Sequence, residues 1–208
     1  MDALVTPLGK VKTGEGCRTY LMKKLAEVWL GGPIASLNTF DMEQGNLLEE
    51  YARPAFTLDT GMEVEQVGFI TTDDEKCGCS PDGIIVGQKV GLEIKCPKVE
   101  THLGYLIEGE VPKDYIIQVQ ASLWVSGYAK WYFYSFCRRM PPLILEVLPD
   151  PEIQEAIGEA VEGFLERFDE AMATLTKLNG GVRPETRQKF QMPPEKPKFE
   201  SDPNDVPH

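Results

Sequence analysis

The feature that most restricts what this chain can build is the stretch CSPDGIIVGQKVGLEIKCP, from Cys79 to Pro97. Successive side chains of a strand alternate faces, so in Leu92-Glu93-Ile94-Lys95 the apolar pair points to one side and the charged pair to the other. Asp82 stands just ahead of a preceding strand, Gly83 to Val86, and Gly87-Gln88-Lys89 supplies turn residues. Folding that hairpin can bring Asp82 beside Glu93 and Lys95, placing two carboxylates and an ammonium at one spot. Clustered carboxylates repel, and burial makes each charge costlier, so the arrangement calls for protons or a cation. Oxygen ligands of this kind suit Mg²⁺, with Mn²⁺ as a substitute, rather than zinc. An ion so held can polarise a phosphodiester and activate water, while the lysine positions that water or steadies developing charge. The plain alternative is an exposed Glu93–Lys95 ion pair on an ordinary hairpin.

Around the hairpin the periodicities alternate. Leu21, Leu25 and Val28 recur at helical spacing from Thr19 to Leu30, and Gly31-Gly32-Pro33 stops that helix. A second helix begins near Asp41, a candidate cap, and carries Leu48, Ala52 and Phe56 on one stripe, with Pro54 expected to bend it or end it early. Residues Met62 to Asp73 read as a strand, Ile116 to Val125 as helix, and WYFYSF and LILEVL as two further strands. Ile153, Ile157, Val161, Phe164, Phe168, Met172 and Leu175 then mark a long helix whose stripe is that of a face packed on a sheet. This order predicts an α/β fold in which a central mixed β-sheet is flanked by helices. Residues 1–178 form one domain in this reading, and 179–208, rich in proline, form a C-terminal extension.

Composition narrows the setting. A chain of 208 residues has room for one sizeable core, and no apolar run approaches the roughly 18 residues of a membrane span. The N-terminus lacks the pattern of a secretory signal, and five cysteines without paired metal-ligand spacing are expected as free, small core residues in a reducing cytoplasm. The net charge of −12 opposes a polyanionic partner at first sight. Its distribution softens that objection, because residues 1–24 carry a net +3 and residues 151–178 a net −5.

Pro81-Asp82 followed by Glu93-Ile94-Lys95 resembles the restriction-endonuclease-like PD-(D/E)XK nuclease superfamily. The longer string SPDG…GLEIKCP, with QVQASLW after it and GNLLEEYAR before it, is similar to the lambda exonuclease and YqaJ-like viral recombinase family. The resemblance runs from about Lys10 to Leu175. It implies that Asp82, Glu93, the Ile94 backbone carbonyl and Glu49 hold metal, that Lys95 is the catalytic lysine, and that Gln118 faces the catalytic water. Gln120 lies about 200° round the helix and cannot share that site. Tyr115 shares the face of Gln118. The resemblance also implies a pocket for a 5′ phosphate, with Ser80 as its hydroxyl and Lys12, Thr13 and Arg18 as its second wall. Here the chain departs from the family, since Pro7 stands where an arginine is expected and the following loop is shorter. Met42 falls where an apolar wedge would split the duplex. The implied activity is Mg²⁺-dependent 5′→3′ digestion of double-stranded DNA ends, leaving a 3′ overhang for recombination. The implied assembly is a homotrimeric ring with a single-strand-annealing protein as partner, in a bacterial cell and of phage or prophage origin. A restriction-like or repair endonuclease, or a non-catalytic module that binds DNA ends, is the alternative.

Overall fold

The computed structural model describes residues 1–34 and 40–181, with side chains described from Leu48 onward in the second helix. Strand β5 (Val90–Lys95) lies at the middle of a five-stranded sheet, ordered β1 (Val64–Glu65), β4 (Gly83–Ile85), β5, β6 (Lys130–Ser135), β7 (Leu143–Val147). β5 and β6 run parallel while the other pairs are antiparallel, so the sheet is mixed, as expected. The turn between β4 and β5 bends at Gly87, whose φ of 73° is the left-handed conformation that glycine adopts without steric penalty.

Alternation along β5 divides the core in two. Leu92 and Ile94 join Ile85, Val90 and Tyr134 against Ala52 and Phe56 of α2 (Phe40–Thr60). On the opposite face Trp131 and Phe133 pack against Val119 and Leu123 of α4 (Lys113–Ser126). Gly91, Glu93 and Lys95 share this second face, in register with Trp131, Phe133 and Ser135. The helix α5 (Pro151–Leu178) is capped by Asp150, whose side chain accepts from the Glu152 and Ile153 N–H groups. Its Ile153, Ile157 and Val161 pack with Ile117 of α4, and with Leu4 and Val5 of the N-terminal segment, so the stripe expected to lie on a sheet meets helices and the N-terminal segment instead. Met172 meets Leu21 and Leu25 of α1 (Glu15–Leu30). All five cysteines are free thiols, and among the described residues no helix is long and apolar enough to cross a membrane.

Two further expectations are corrected, and one helix is added. The Met62–Asp73 run is two short strands in different sheets: β1 pairs with β4, while β2 (Ile70–Thr71) pairs with β3 (Gly78–Cys79) in a separate two-stranded ribbon. Pro54 does not end α2, which continues to Thr60. Pro54 and Glu50 are both exposed, so the break in the hydrogen-bond ladder falls on the outer side of the helix, while Ala52 and Phe56 stay anchored in the core. A helix not anticipated, α3 (Val99–Glu108), follows β5 and ends at Gly109. The side chains of Asp41 and Met42, and the extension from residue 182, lie outside the described residues.

Candidate active site

The site is built where β5 and β6 end and β4 begins. The Asp82 N–H donates to the Leu92 carbonyl at 3.1 Å, and the Ile94 N–H donates back to Asp82 Oδ2 at 2.7 Å. The aspartate is thus pinned across the hairpin to the strand that carries Glu93 and Lys95. Glu93 is 2% exposed and receives two donors on one oxygen: Lys95 Nζ reaches Oε1 at 2.5 Å and Gln118 Nε2 reaches the same atom at 2.6 Å. Lys95 also stands 4.9 Å above the centre of the Tyr115 ring, a cation–π contact that fixes the ammonium from a second direction.

Electrostatics reflect this crowding. Burial, opposed by Lys95 and reinforced by Asp82 and Glu49, pushes the Glu93 carboxyl up to about 7. Burial also raises Asp82, against the Ile94 hydrogen bond and the charges of Lys95 and Arg53. Glu49, half-buried on α2, is raised first by burial and then by Asp82. Burial pulls Lys95 down, but the charge and hydrogen bond of Glu93 carry it above its ordinary value.

These residues fit a hard divalent ion in kind: three carboxylates influence one another electrostatically and burial penalises their charges. They are not drawn into a closed cage, since among the described residues no three His, Cys, Asp or Glu side chains meet in a metal-ligating cluster. Lys95 and Gln118 both engage Oε1 of Glu93, and Ile94 engages Oδ2 of Asp82, so both carboxylates are held in position, and with Glu49 they are the residues that would hold such an ion.

The other expected residues divide. Gln118 reaches Glu93, while Gln120 points away to the Leu148 carbonyl and the Asp150 N–H, as their offset round the helix requires. Ser80 is exposed, two residues before Asp82. Lys12 Nζ is held by the Asp2 carbonyl at 2.6 Å, and Thr13 and Arg18 are exposed. No hydrogen bond among the described residues ties these three to the carboxylates. A mostly apolar cavity of about 660 Å³ lies beside the site, walled by Tyr20, Cys79, Ser122, Phe164 and Phe168, and of the candidate residues only Gln118 borders it.

Two contributors escape sequence reasoning. Arg53 Nε donates to the Asp82 carbonyl at 2.7 Å, fastening α2 to the hairpin mouth. Its place at the end of the GNLLEEYAR string, four residues after Glu49, is a signal for it, since that spacing puts both on one helix face. The other is His102 of α3, which is wholly buried and bonded to Ser135, the residue in register with Lys95.

The fold has counterparts among solved structures. An alkaline exonuclease, LHK-Exo from Laribacter hongkongensis, superimposes with a TM-score of 0.73 at 24% identity, over 86% of this chain and 94% of that one. The same enzyme in complex with dAMP gives 0.73 at 25% identity, over 84% and 95%. A phage-related exonuclease from Haemophilus somnus 129PT gives 0.64 at 15% identity, over 81% and 86%. No curated protein matches the chain. The model of the YqaJ-like viral recombinase domain matches residues 12–129, which span α1 through α4 and so take in the hairpin, Glu49 and Gln118; the chain belongs to that family.

Proposed function

We propose that this protein is a metal-dependent 5′→3′ exonuclease acting on double-stranded DNA from a 5′-phosphorylated end, leaving a 3′ single-stranded overhang for phage-type recombination. The observation that carries the reading is the buried Glu93 carboxylate, gripped on one oxygen by Lys95 and Gln118 while Asp82 is pinned alongside. Membership of the family and the likeness to LHK-Exo support it. In this reading Asp82, Glu93 and Glu49, with the Ile94 carbonyl, hold Mg²⁺ or Mn²⁺. When bound, such an ion supplies Lewis acidity toward the scissile phosphate. Lys95, held over Tyr115, is placed to orient the attacking water or to balance charge that develops on the phosphate. Gln118 keeps the Glu93 carboxylate from rotating away. Ser80, beside Asp82, is the hydroxyl proposed for the terminal phosphate, with Lys12, Thr13 and Arg18 as its far wall and Met42 as the wedge. A ring-shaped homotrimer, a single-strand-annealing partner and a cytoplasmic setting in a bacterial host complete the proposal.

The test is incubation of the wild-type chain with Mg²⁺ and linear duplex, nicked circle or closed circle, each linear substrate with and without a 5′ phosphate. Digestion restricted to phosphorylated linear ends supports the exonuclease, whereas cleavage of closed circles would establish an endonuclease instead. Lys95→Ala is expected to fold and to bind DNA ends with metal without cutting them. Undiminished cutting by that variant would refute the assigned role.

A further inference from the structure

The loop joining β6 to β7 leaves the sheet directly beside Lys95, because the Phe136 N–H donates to the Lys95 carbonyl at 2.8 Å. The next residue, Cys137, opens a turn closed by its carbonyl accepting the Met140 N–H at 3.1 Å, with Arg138 and Arg139 as the central pair. Arg139 has a φ of 66°, a left-handed conformation that glycine adopts freely and a branched chain resists. Both arginines are exposed. The ion pairs among the described residues are Lys24–Glu27, Glu93–Lys95 and Lys130–Glu146, so neither arginine has an acidic partner there. In a chain of net charge −12, two adjacent unneutralised guanidinium groups at this edge stand out against their surroundings.

The loop is also fixed from beneath. His102 lies between its two ends, with Nε2 at 2.9 Å from the Pro141 carbonyl and Nδ1 at 2.8 Å from the Ser135 hydroxyl. A carbonyl only accepts, so Nε2 donates to Pro141, and Nδ1 shares a hydrogen bond with the Ser135 hydroxyl, which can donate or accept. His102 and Ser135 are both fully buried, which makes this a rigid post rather than a surface contact. Three Cα steps separate Phe136 from Arg139, at most about 11 Å of chain, so the backbone of both arginines lies close to the Lys95 end of β5.

We propose that Arg138 and Arg139 form a sequence-independent clamp on the phosphodiester backbone of the nucleic acid, gripping phosphates that flank the one processed at Lys95. The inference rests on the nuclease reading above and deepens it by naming a contact surface. Arginine suits phosphate because its fork donates two parallel hydrogen bonds, and a loop already held in place loses little freedom on binding.

The test uses the full chain, Ca²⁺ in place of Mg²⁺, and a short fluorescent linear duplex, with affinity measured by anisotropy as salt is raised. Each phosphate neutralised contributes about −0.9 to the slope of log K against log salt. Arg138→Ala with Arg139→Ala should therefore flatten the slope by about 1.8, so that between about 50 and 200 mM salt the wild type loses about 12-fold more affinity than the variant. The Arg138→Lys, Arg139→Lys pair should restore most of the slope, since the point charges remain. An identical slope for the alanine pair, with wild-type DNA binding and cleavage intact, overturns the clamp and leaves the nuclease reading standing. A wild-type chain that neither binds nor cuts duplex DNA overturns both.

Discussion

Gly91→Ala is the substitution for which the structure allows the sharpest forecast. Gly91 sits on β5 opposite Trp131 of β6, on the face that carries Glu93 and Lys95. A Cβ at this position would fall 2.4 Å from Cε3 and Cζ3 of the indole and 2.5 Å from Cδ2. Carbon atoms in contact settle at roughly 3.5–4.0 Å, so strand and ring must separate by about 1 Å. Neither can do so easily: Trp131 is 0% exposed, packs with Val119, Leu123 and Phe133, and belongs to a strand hydrogen-bonded on both sides. Overpacking of this sort costs about 1–3 kcal/mol, and a rigid ring places the site near the top of that range. For a chain of this size about 3 kcal/mol corresponds to a fall in Tm of about 6–12 °C. Circular-dichroism melts of Gly91→Ala, Trp131→Leu and the double variant test the cause as well as the size. Because the leucine removes the offending ring atoms, the double variant should be more stable than the sum of the single losses implies, by about 1–2 kcal/mol. A Gly91→Ala protein that melts with the wild type, or a strictly additive cycle, would refute the steric argument.

Three further outcomes follow from particular contacts. Gly104 lies in α3 with nothing within 4 Å of a built Cβ and no positive φ, so Gly104→Ala should raise stability by about 0.5–1 kcal/mol in urea titrations, and a loss would mean that α3 is less exposed there than described. His102→Leu strands the buried Ser135 hydroxyl and should lower stability by about 1–3 kcal/mol, visible as a lower Tm; an unchanged melt would show that the histidine post bears no strain. Burial raises the Cys77 and Cys79 thiols above their ordinary range, so less thiolate is present at any given pH. Both should alkylate with iodoacetamide at pH 8 more slowly than a free thiol and accelerate as pH rises; labelling at the free-thiol rate, followed by mass spectrometry, would contradict that burial.

The hairpin and α5 were legible because each obeys one period. Leu92 and Ile94 alternate with Glu93 and Lys95, and the Ile153–Leu175 stripe repeats every three to four residues with its buried members inward. α3 hides for the opposite reason. Its apolar residues at helical spacing, Val99, Leu103 and Ile107, face solvent, while its buried member is the polar His102. The apolar stripe therefore marks the outward face of the helix, and the inward face, carried by a hydrogen-bonding histidine, has no hydrophobic signal. The Met62–Asp73 run misleads because β-branched content reports affinity for a sheet and says nothing about which sheet, and Gly68 and Phe69 mark where the chain changes from one to the other. At the candidate site, Asp82, Glu93 and Lys95 follow from strand alternation and hairpin length. The choice of Gln118 over Gln120 follows from helix angle combined with the family resemblance. Arg53, Ser135 and His102 act through backbone carbonyls and one another across long stretches of sequence, contacts that no local pattern encodes.

The same alternation explains why fold and site are inseparable here. The apolar half of β5 is keyed into α2 through Phe56, and that packing sets the height and direction of the polar half. Glu93 points to the other face of the same strand, toward Phe133 and α4, where burial penalises its charge and Lys95 and Gln118 offset that penalty only in part. A leucine at position 93 against Phe133 and Val119 would serve stability better, because buried ion pairs are commonly neutral or unfavourable relative to packed apolar groups. A carboxylate kept at such a place, with a second one pinned beside it and a cation held over an aromatic ring, is an arrangement that stability alone does not select.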